Sequence, residues 1–178
     1  RLLAAYGRAH GLAGTAFRLF NAYGPRQRTD FVVARFIRQA LASAPLTVDF
    51  DGRQCRTFCH VEDTVAALAH IHATRAYHHP VVNVGSEEEI SMLELARLVK
   101  KLARSASSII CGQPHRTWDI PRRVPDLARL RSIYAREARP LRQGLAEVIA
   151  AWPHAAVPAQ VVTAPSRTAP SPCGCAPC

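Results

Sequence analysis

A short apolar strand that stops abruptly in a polar Gly-Pro turn constrains this 178-residue chain more than any other feature. Thr15-Ala16-Phe17 leads into Arg18-Leu19-Phe20, and Asn21-Ala22-Tyr23-Gly24-Pro25-Arg26 breaks the run. Open α/β sheets bind ligands at the carboxyl ends of their parallel strands, which would give Phe20 and Asn21 a privileged position. A core strand that touches no ligand is written the same way, because most strand ends do no chemistry.

The pattern downstream alternates helices with short strands, an α/β arrangement. Leu2, Leu3 and Tyr6 already sit at helical spacing, so the chain is expected to open inside a helix. Asp30 is a candidate N-cap for a helix with Val33, Phe36, Ile37, Ala40 and Leu41 on one face. Strands are expected over 46–50 and 56–61. A helix capped by Asp63 follows, with Val65, Leu68, Ala69 and His72 facing inward. Val81-Val82-Asn83-Val84 reads as a buried strand closed by Gly85. Ser91-Met92-Leu93-Glu94 is a capping box, with Leu95, Leu98, Val99 and Leu102 at helical period behind it. A strand over 108–111, an irregular basic loop through Asp126 and two closing helices complete the ordered part. The second of these helices carries Leu141, Leu145, Val148, Ile149 and Trp152.

The wording of several segments resembles one family. Arg18 to Pro25 is similar to the R-x-F-N-x-Y-G-P signature of the extended short-chain dehydrogenases, the NAD-dependent sugar-nucleotide epimerases, dehydratases and decarboxylases. Asp51-Gly52-Arg53-Gln54-Cys55-Arg56-Thr57-Phe58 resembles that family's D-G-x-Q-x-R-D-F. Val82-Asn83-Val84-Gly85 resembles its Y-N-x-G, and Arg122-Arg123-Val124-Pro125-Asp126 its R-R-x-P-D. No one motif is decisive, but the series at matching spacing is specific. UDP-glucose 4-epimerase and UDP-glucuronate decarboxylase are the nearest groups by wording. His60-Val61-Glu62-Asp63 leans toward the first, and the helix from Val32-Val33 to Ala40-Leu41 toward the second.

The resemblance implies a fold and a set of roles. The fold is the last strands of a Rossmann-like parallel sheet plus a small α/β substrate-binding lobe, over residues 1–152. A nucleotide-diphosphate sugar presents adjacent phosphates that suit the planar fork of arginine. Arg56 matches one clamping position, and Arg116, in Arg116-Thr117-Trp118-Asp119, matches the R-x-G-D motif. Asn21 would hold a sugar hydroxyl or phosphate oxygen, and Phe20 would abut the nicotinamide of NAD. Members are typically homodimers.

The chain also departs from the pattern. It has no Gly-rich strand-to-helix fingerprint for a dinucleotide. The family's catalytic Tyr-x-x-x-Lys would fall just ahead of Arg1, and neither Tyr6 nor Tyr23 has a lysine four residues on, so no catalytic residue is assigned. Asp49 and Phe50 stand where an aromatic residue and Gly are usual, Thr57 where R-D-F has Asp, and Trp118 where R-x-G-D has Gly. Tyr134-Ala135-Arg136-Glu137-Ala138-Arg139-Pro140 replaces L-G-W-x-P. The expectation is therefore the carboxyl-terminal half of such an enzyme, inactive alone and with one strand edge exposed. The alternative is a non-catalytic, degenerate paralogue that binds a nucleotide or another subunit.

Charge and cysteine usage narrow the classes further. The formal net charge is +10, but the arginines are spread over every segment and no nucleic-acid module is recognisable. No apolar run is long enough for a membrane span. Cys55, Cys59 and Cys111 fall in expected strands, where free cysteine acts as a small hydrophobe; this suggests a reducing, cytoplasmic setting. The histidines at 70, 72, 78 and 79 lack a thiol or carboxylate to complete a metal set. Residues 153–178, rich in Pro, Ala, Ser and Thr, read as a disordered tail ending in Cys173, Cys175 and Cys178, which could hold a soft metal only with a fourth ligand.

Overall fold

Ala16–Leu19 forms β1, the strand expected from the sequence, and pairs in parallel with β6, Val81–Val84, in the register Phe17↔Val82 and Leu19↔Val84. Phe20 prolongs the ladder by donating its N–H to the Val84 carbonyl at 2.9 Å. The computed structural model describes residues 2–77, 80–112 and 119–152. The expected metal-poor histidine cluster lies partly outside these residues, as do Arg116, Trp118 and the whole Cys-bearing tail.

Two further parallel pairs stand beside the first: β2 (Ala22–Tyr23) with β5 (Cys59–His60), and β3 (Leu46–Val48) with β8 (Ile109–Cys111). A mixed sheet has the order β7-β4-β9, from Glu89–Ser91, Cys55–Thr57 and Arg122–Arg123. There β4 runs antiparallel to β7 and parallel to β9. Helices α1 (Leu2–His10), α2 (Val32–Leu41), α3 (Val61–Ala73), α4 (Met92–Leu102), α5 (Ala128–Ile133) and α6 (Leu141–Ala150) intervene. The architecture is mixed α/β with parallel strand pairs, as the sequence suggests.

Two apolar clusters hold these elements. The larger packs Val33, Phe36 and Ile37 of α2 against Leu95 and Val99 of α4 and Leu145 and Val148 of α6, with Tyr23, Leu46 and Phe58 between them. The smaller gathers Ile71 of α3, Val82 and Val84 of β6, and Leu127 and Leu130 at α5. Gly144 lets α6 approach β2, because a Cβ there would overlap the Tyr23 hydroxyl. The Ser91–Glu94 capping box is present in both directions, the Glu94 backbone N–H donating to Ser91 Oγ at 3.2 Å.

Several sequence expectations shift. Residue 31, not Asp30, is the N-cap of α2; the Asp30 carboxylate instead closes on Arg28. Leu41, placed on the inner face, is 38% exposed at the end of that helix. The strand expected over 56–61 is two strands in different sheets, split at Phe58, which turns its side chain into the larger cluster. Asp63 does not cap α3. His60 does, its Nδ1 accepting the Glu62 N–H at 3.3 Å, and Thr64 Oγ1 reaches the His60 carbonyl. That earlier start rotates the buried stripe to Thr64, Ala67 and Ile71 and leaves Val65, Ala69 and His72 outside. Strands β7 and β9 are too short to carry a periodic signal, and β9 lies in the stretch read as an irregular loop.

Beyond β6, no second neighbour pairs with β1 among the described residues, and Leu19 is 54% exposed. Helix α1 carries exposed Leu2 and Tyr6. Among the described residues this edge of β1 is open and the apolar surface around it uncovered.

Candidate functional site

The site forms where the carboxyl end of β1 meets β4 and β9. Asn21 follows Phe20 with φ of +38°, in the left-handed region that Asn tolerates better than most residues. Its Nδ2 donates to the Thr57 carbonyl at 2.7 Å, and its Oδ1 accepts from Arg123 Nη2 at 2.9 Å. Thr57 adjoins Arg56, so this contact ties the strand end to the arginine-bearing strand. Phe20 is half-buried at the tip of β1, against Gly85, where a Cβ would lie 3.0 Å from the Phe20 Cβ and 3.2 Å from Pro125.

Arg56 lies in the interior strand of the mixed sheet and is 5% exposed. Its Nη1 donates to the Cys55 carbonyl and its Nη2 meets Asp119 Oδ1, both at 2.7 Å. A guanidinium this buried requires such partners, since an unpaired buried charge is strongly destabilising. Asp119 also accepts the Ile120 N–H at 2.8 Å, which fixes the carboxylate. Thr57, where the family motif has Asp, is fully buried and its hydroxyl has no hydrogen-bond partner among the described residues.

The structure thus ties Asn21 to the carbonyl of Thr57, the residue after Arg56, and sets Phe20 against Gly85, whereas Arg116 lies outside the described residues. Arg123 and Asp119 carry no expected site role from the sequence, although both lie in segments that resemble the family's motifs. The missed signal was cross-strand: Arg56 and Arg123 are register partners in β4 and β9. The neighbouring Arg122 belongs to the opposite face, where it forms an ion pair with Glu89 at 2.9 Å.

A separate cavity of about 500 Å3 lies between α3, α5 and residues 134–140, lined by Cys59, Asp63, Val84, Glu88, Leu130 and Arg139 among others. None of Asn21, Arg56, Asp119 and Arg123 lines it. Its charges are largely spent on structure: Asp63 accepts the Arg139 N–H at 2.9 Å, Glu88 accepts the Leu141 N–H at 2.7 Å, and Arg139 pairs with Glu62 and Glu147. The Arg139 hydrogen bond holds the Glu62 carboxyl below its usual range. Burial pushes the Cys59 thiol up, leaving it protonated and inert as a nucleophile near neutrality. Of the three described cysteines, Cys55 is partly exposed and Cys111 exposed, whereas Cys59 is buried. No group of three metal-ligating side chains lies together among the described residues, and no helix there is long and apolar enough to cross a membrane.

Known proteins resemble this chain in sequence and in fold. The model of the NAD dependent epimerase/dehydratase family matches residues 1–85. The chain is 39% identical over 144 residues to UDP-glucuronic acid decarboxylase 3 of Arabidopsis thaliana, a match covering 79% of this chain and 41% of the relative. It is 37% identical over 131 residues to UDP-N-acetyl-alpha-D-glucosaminuronate decarboxylase of Bacillus cytotoxicus, covering 69% of this chain and 40% of that protein. The crystal structure of the Thermus thermophilus UDP-glucose 4-epimerase complex with NAD aligns with a TM-score of 0.75 at 26% identity, covering 87% of this chain and 51% of that one. This chain therefore spans less than half the length of these curated relatives. Motifs in series, parallel α/β pairs and these matches agree: the chain belongs to the NAD-dependent epimerase/dehydratase family of extended short-chain dehydrogenases.

Proposed function

We propose that this chain is the carboxyl-terminal, nucleotide-sugar-binding part of an NAD-dependent sugar-nucleotide epimerase or decarboxylase. The observation that carries the reading is the buried Arg56, set at 2.7 Å from Asp119 and one residue from the carbonyl that holds Asn21. Together with Arg123 these groups make a cationic, hydrogen-bonding corner at a parallel strand end, the chemistry a diphosphate requires. Arg116, matching the second clamping position of the motif, would add a further guanidinium. Relatives named for UDP sugars support UDP as the nucleotide.

The residues present suit only the nicotinamide end of NAD. Phe20 is partly exposed at the tip of β1, while the sequence has no Gly-rich turn to cradle the pyrophosphate. NAD, when bound, takes a hydride from a sugar carbon and can return it. Within this chain the work would be binding and orientation: arginines neutralise the diphosphate, Asn21 fixes one oxygen, and Phe20 shields one face from water. The general acid/base would come from the part of the fold that precedes residue 1 in the family pattern, and that part would also cover the open edge of β1. The whole enzyme would be a homodimer, as is typical of the family.

A second reading, a non-catalytic nucleotide-binding or subunit-interaction module, is favoured by one feature. Both outer nitrogens of Arg56 are already engaged by protein acceptors. Titration of the purified chain with UDP tests the first reading. Binding that is lost in Arg56→Ala supports it, and no binding at millimolar UDP overturns it.

A further inference from the structure

The cavity of about 500 Å3 between α3, α5 and residues 134–140 shares no residue with the corner formed by Asn21, Arg56, Asp119 and Arg123. Its size falls within the range of about 300–1,000 Å3 typical of small-molecule sites. Its inner wall is apolar: Ala67 of α3, Val84 of β6, and Leu127 and Leu130 at α5 line it, and each is more than nine-tenths buried. These side chains belong to the smaller apolar cluster, which therefore faces open space on one side. Packed interiors avoid such voids, because wall atoms lose their contacts on the empty side.

The sequence accounts for the space. Residues 134–140 replace L-G-W-x-P, and where that motif carries a tryptophan this segment has none. It has Ala135 and Ala138 instead, and both line the cavity. A tryptophan side chain buries about 150–250 Å2, so alanines in this segment leave room for a ring of similar size. An apolar void of that kind takes up small aromatic molecules.

Charge argues against an ionic ligand. Arg131 pairs with Glu87, and Arg139 with Glu62 and Glu147. Asp63 and Glu88 each accept a backbone N–H, from Arg139 and Leu141. A buried donor does remain. Ser86 lines the cavity and is 6% exposed; its Oγ accepts the Glu88 N–H at 3.2 Å, and its own O–H has no acceptor among the described residues. We propose that this cavity is a second ligand site, for a small uncharged aromatic molecule whose ring lies against Ala67, Val84, Leu127 and Leu130 and whose oxygen accepts the Ser86 O–H.

Phenol is the probe, titrated into the full 178-residue chain and followed by amide proton–nitrogen correlation spectra. Millimolar phenol is expected to shift the amides of Ala67, Val84, Ser86 and Leu130 in a saturable way, and excess UDP to leave that titration unchanged. Ser86→Ala, a nearly isosteric change, is expected to weaken phenol about fivefold, the worth of one hydrogen bond, and to leave toluene, which has no oxygen, unaffected. Benzoate, of the same ring size but charged, is expected to bind more weakly than phenol. Ala138→Trp, which supplies an indole from the chain itself, is expected to abolish binding of phenol and toluene alike. Should that variant fail to fold by far-UV circular dichroism, the Ser86→Ala comparison decides alone. Absence of saturable shifts at these amides with millimolar phenol would overturn the proposal, as would displacement of phenol by UDP. Equal weakening of phenol and toluene in Ser86→Ala would show that Ser86 only shapes the wall, and would overturn it too.

Discussion

The Arg56 guanidinium and the Asp119 carboxylate form an ion pair at 2.7 Å, with 6% of the arginine side chain and 24% of the aspartate side chain exposed. This pair links the interior strand of the mixed sheet to the segment before β9. Removing one partner strands the other in a poorly hydrated place, which costs far more than the pair itself contributes. Asp119→Ala is therefore expected to destabilise the chain by about 3 kcal/mol, read as a lowered urea midpoint at unchanged slope. A midpoint equal to that of the unsubstituted chain would contradict the pairing.

Gly144 illustrates a contest between local propensity and packing. Alanine at a helix interior is favoured over glycine by about 1 kcal/mol. At this position, however, the added Cβ would overlap the buried Tyr23 hydroxyl and lie 3.4 Å from His60 Cδ2. Moving a buried phenol out of a packed cluster costs about 1–3 kcal/mol or more, so packing wins. Gly144→Ala should lower the thermal midpoint, and Gly144→Ala combined with Tyr23→Phe should recover part of the loss.

Alkaline stability should follow Cys59 and Tyr23. Burial raises the Cys59 thiol above its ordinary value of 9.0 and the Tyr23 phenol well above its ordinary 10.0. Both groups stay neutral in the folded chain after they ionise in the unfolded one. Their contribution is thus complete below pH about 9 and is lost as pH rises through the unfolded values toward the folded ones. Urea midpoints measured from pH 8 to 11 should fall, with a shallower decline in Cys59→Ala near pH 9 and in Tyr23→Phe near pH 10. A flat profile in the unsubstituted chain would refute this.

Turnover is expected to be absent from the 178-residue chain on its own. Neither Tyr6 nor Tyr23 has a lysine four residues on, and burial holds the Tyr23 phenol protonated, so neither can act as a general base at neutral pH. Incubation with NAD and UDP-glucose or UDP-glucuronate, followed by chromatography of the nucleotide sugars, checks it. Any epimerised or decarboxylated product at levels above a no-protein control would refute it.

Much of the fold was legible because it rests on local rules. The Ser91–Glu94 box, the apolar period of α4 and the strand over 81–84 all emerge as written. Errors arose where a tertiary partner decided the outcome. Asp30 is a good capping residue in isolation, yet Arg28, two residues before it, engages its carboxylate at 2.9 Å. Asp63 has the right chemistry for a cap, but His60 begins the helix earlier and Asp63 instead accepts the Arg139 N–H. Strand β9 has two residues, too few for any periodicity, and exists through its pairing with β4.

The sequence by itself determined the family and the sites of the main secondary structure. Motif wording and apolar spacing are properties of neighbouring residues, and they survive in a chain that spans less than half of its relatives. The tertiary structure decided what the candidate site is made of. Asn21 and Arg123 are separated by 102 positions and Arg56 and Asp119 by 63, and only the tertiary fold brings these hydrogen-bonding partners together. Contacts across such separations depend on which strand lies beside which, and that depends on burying two apolar clusters at once.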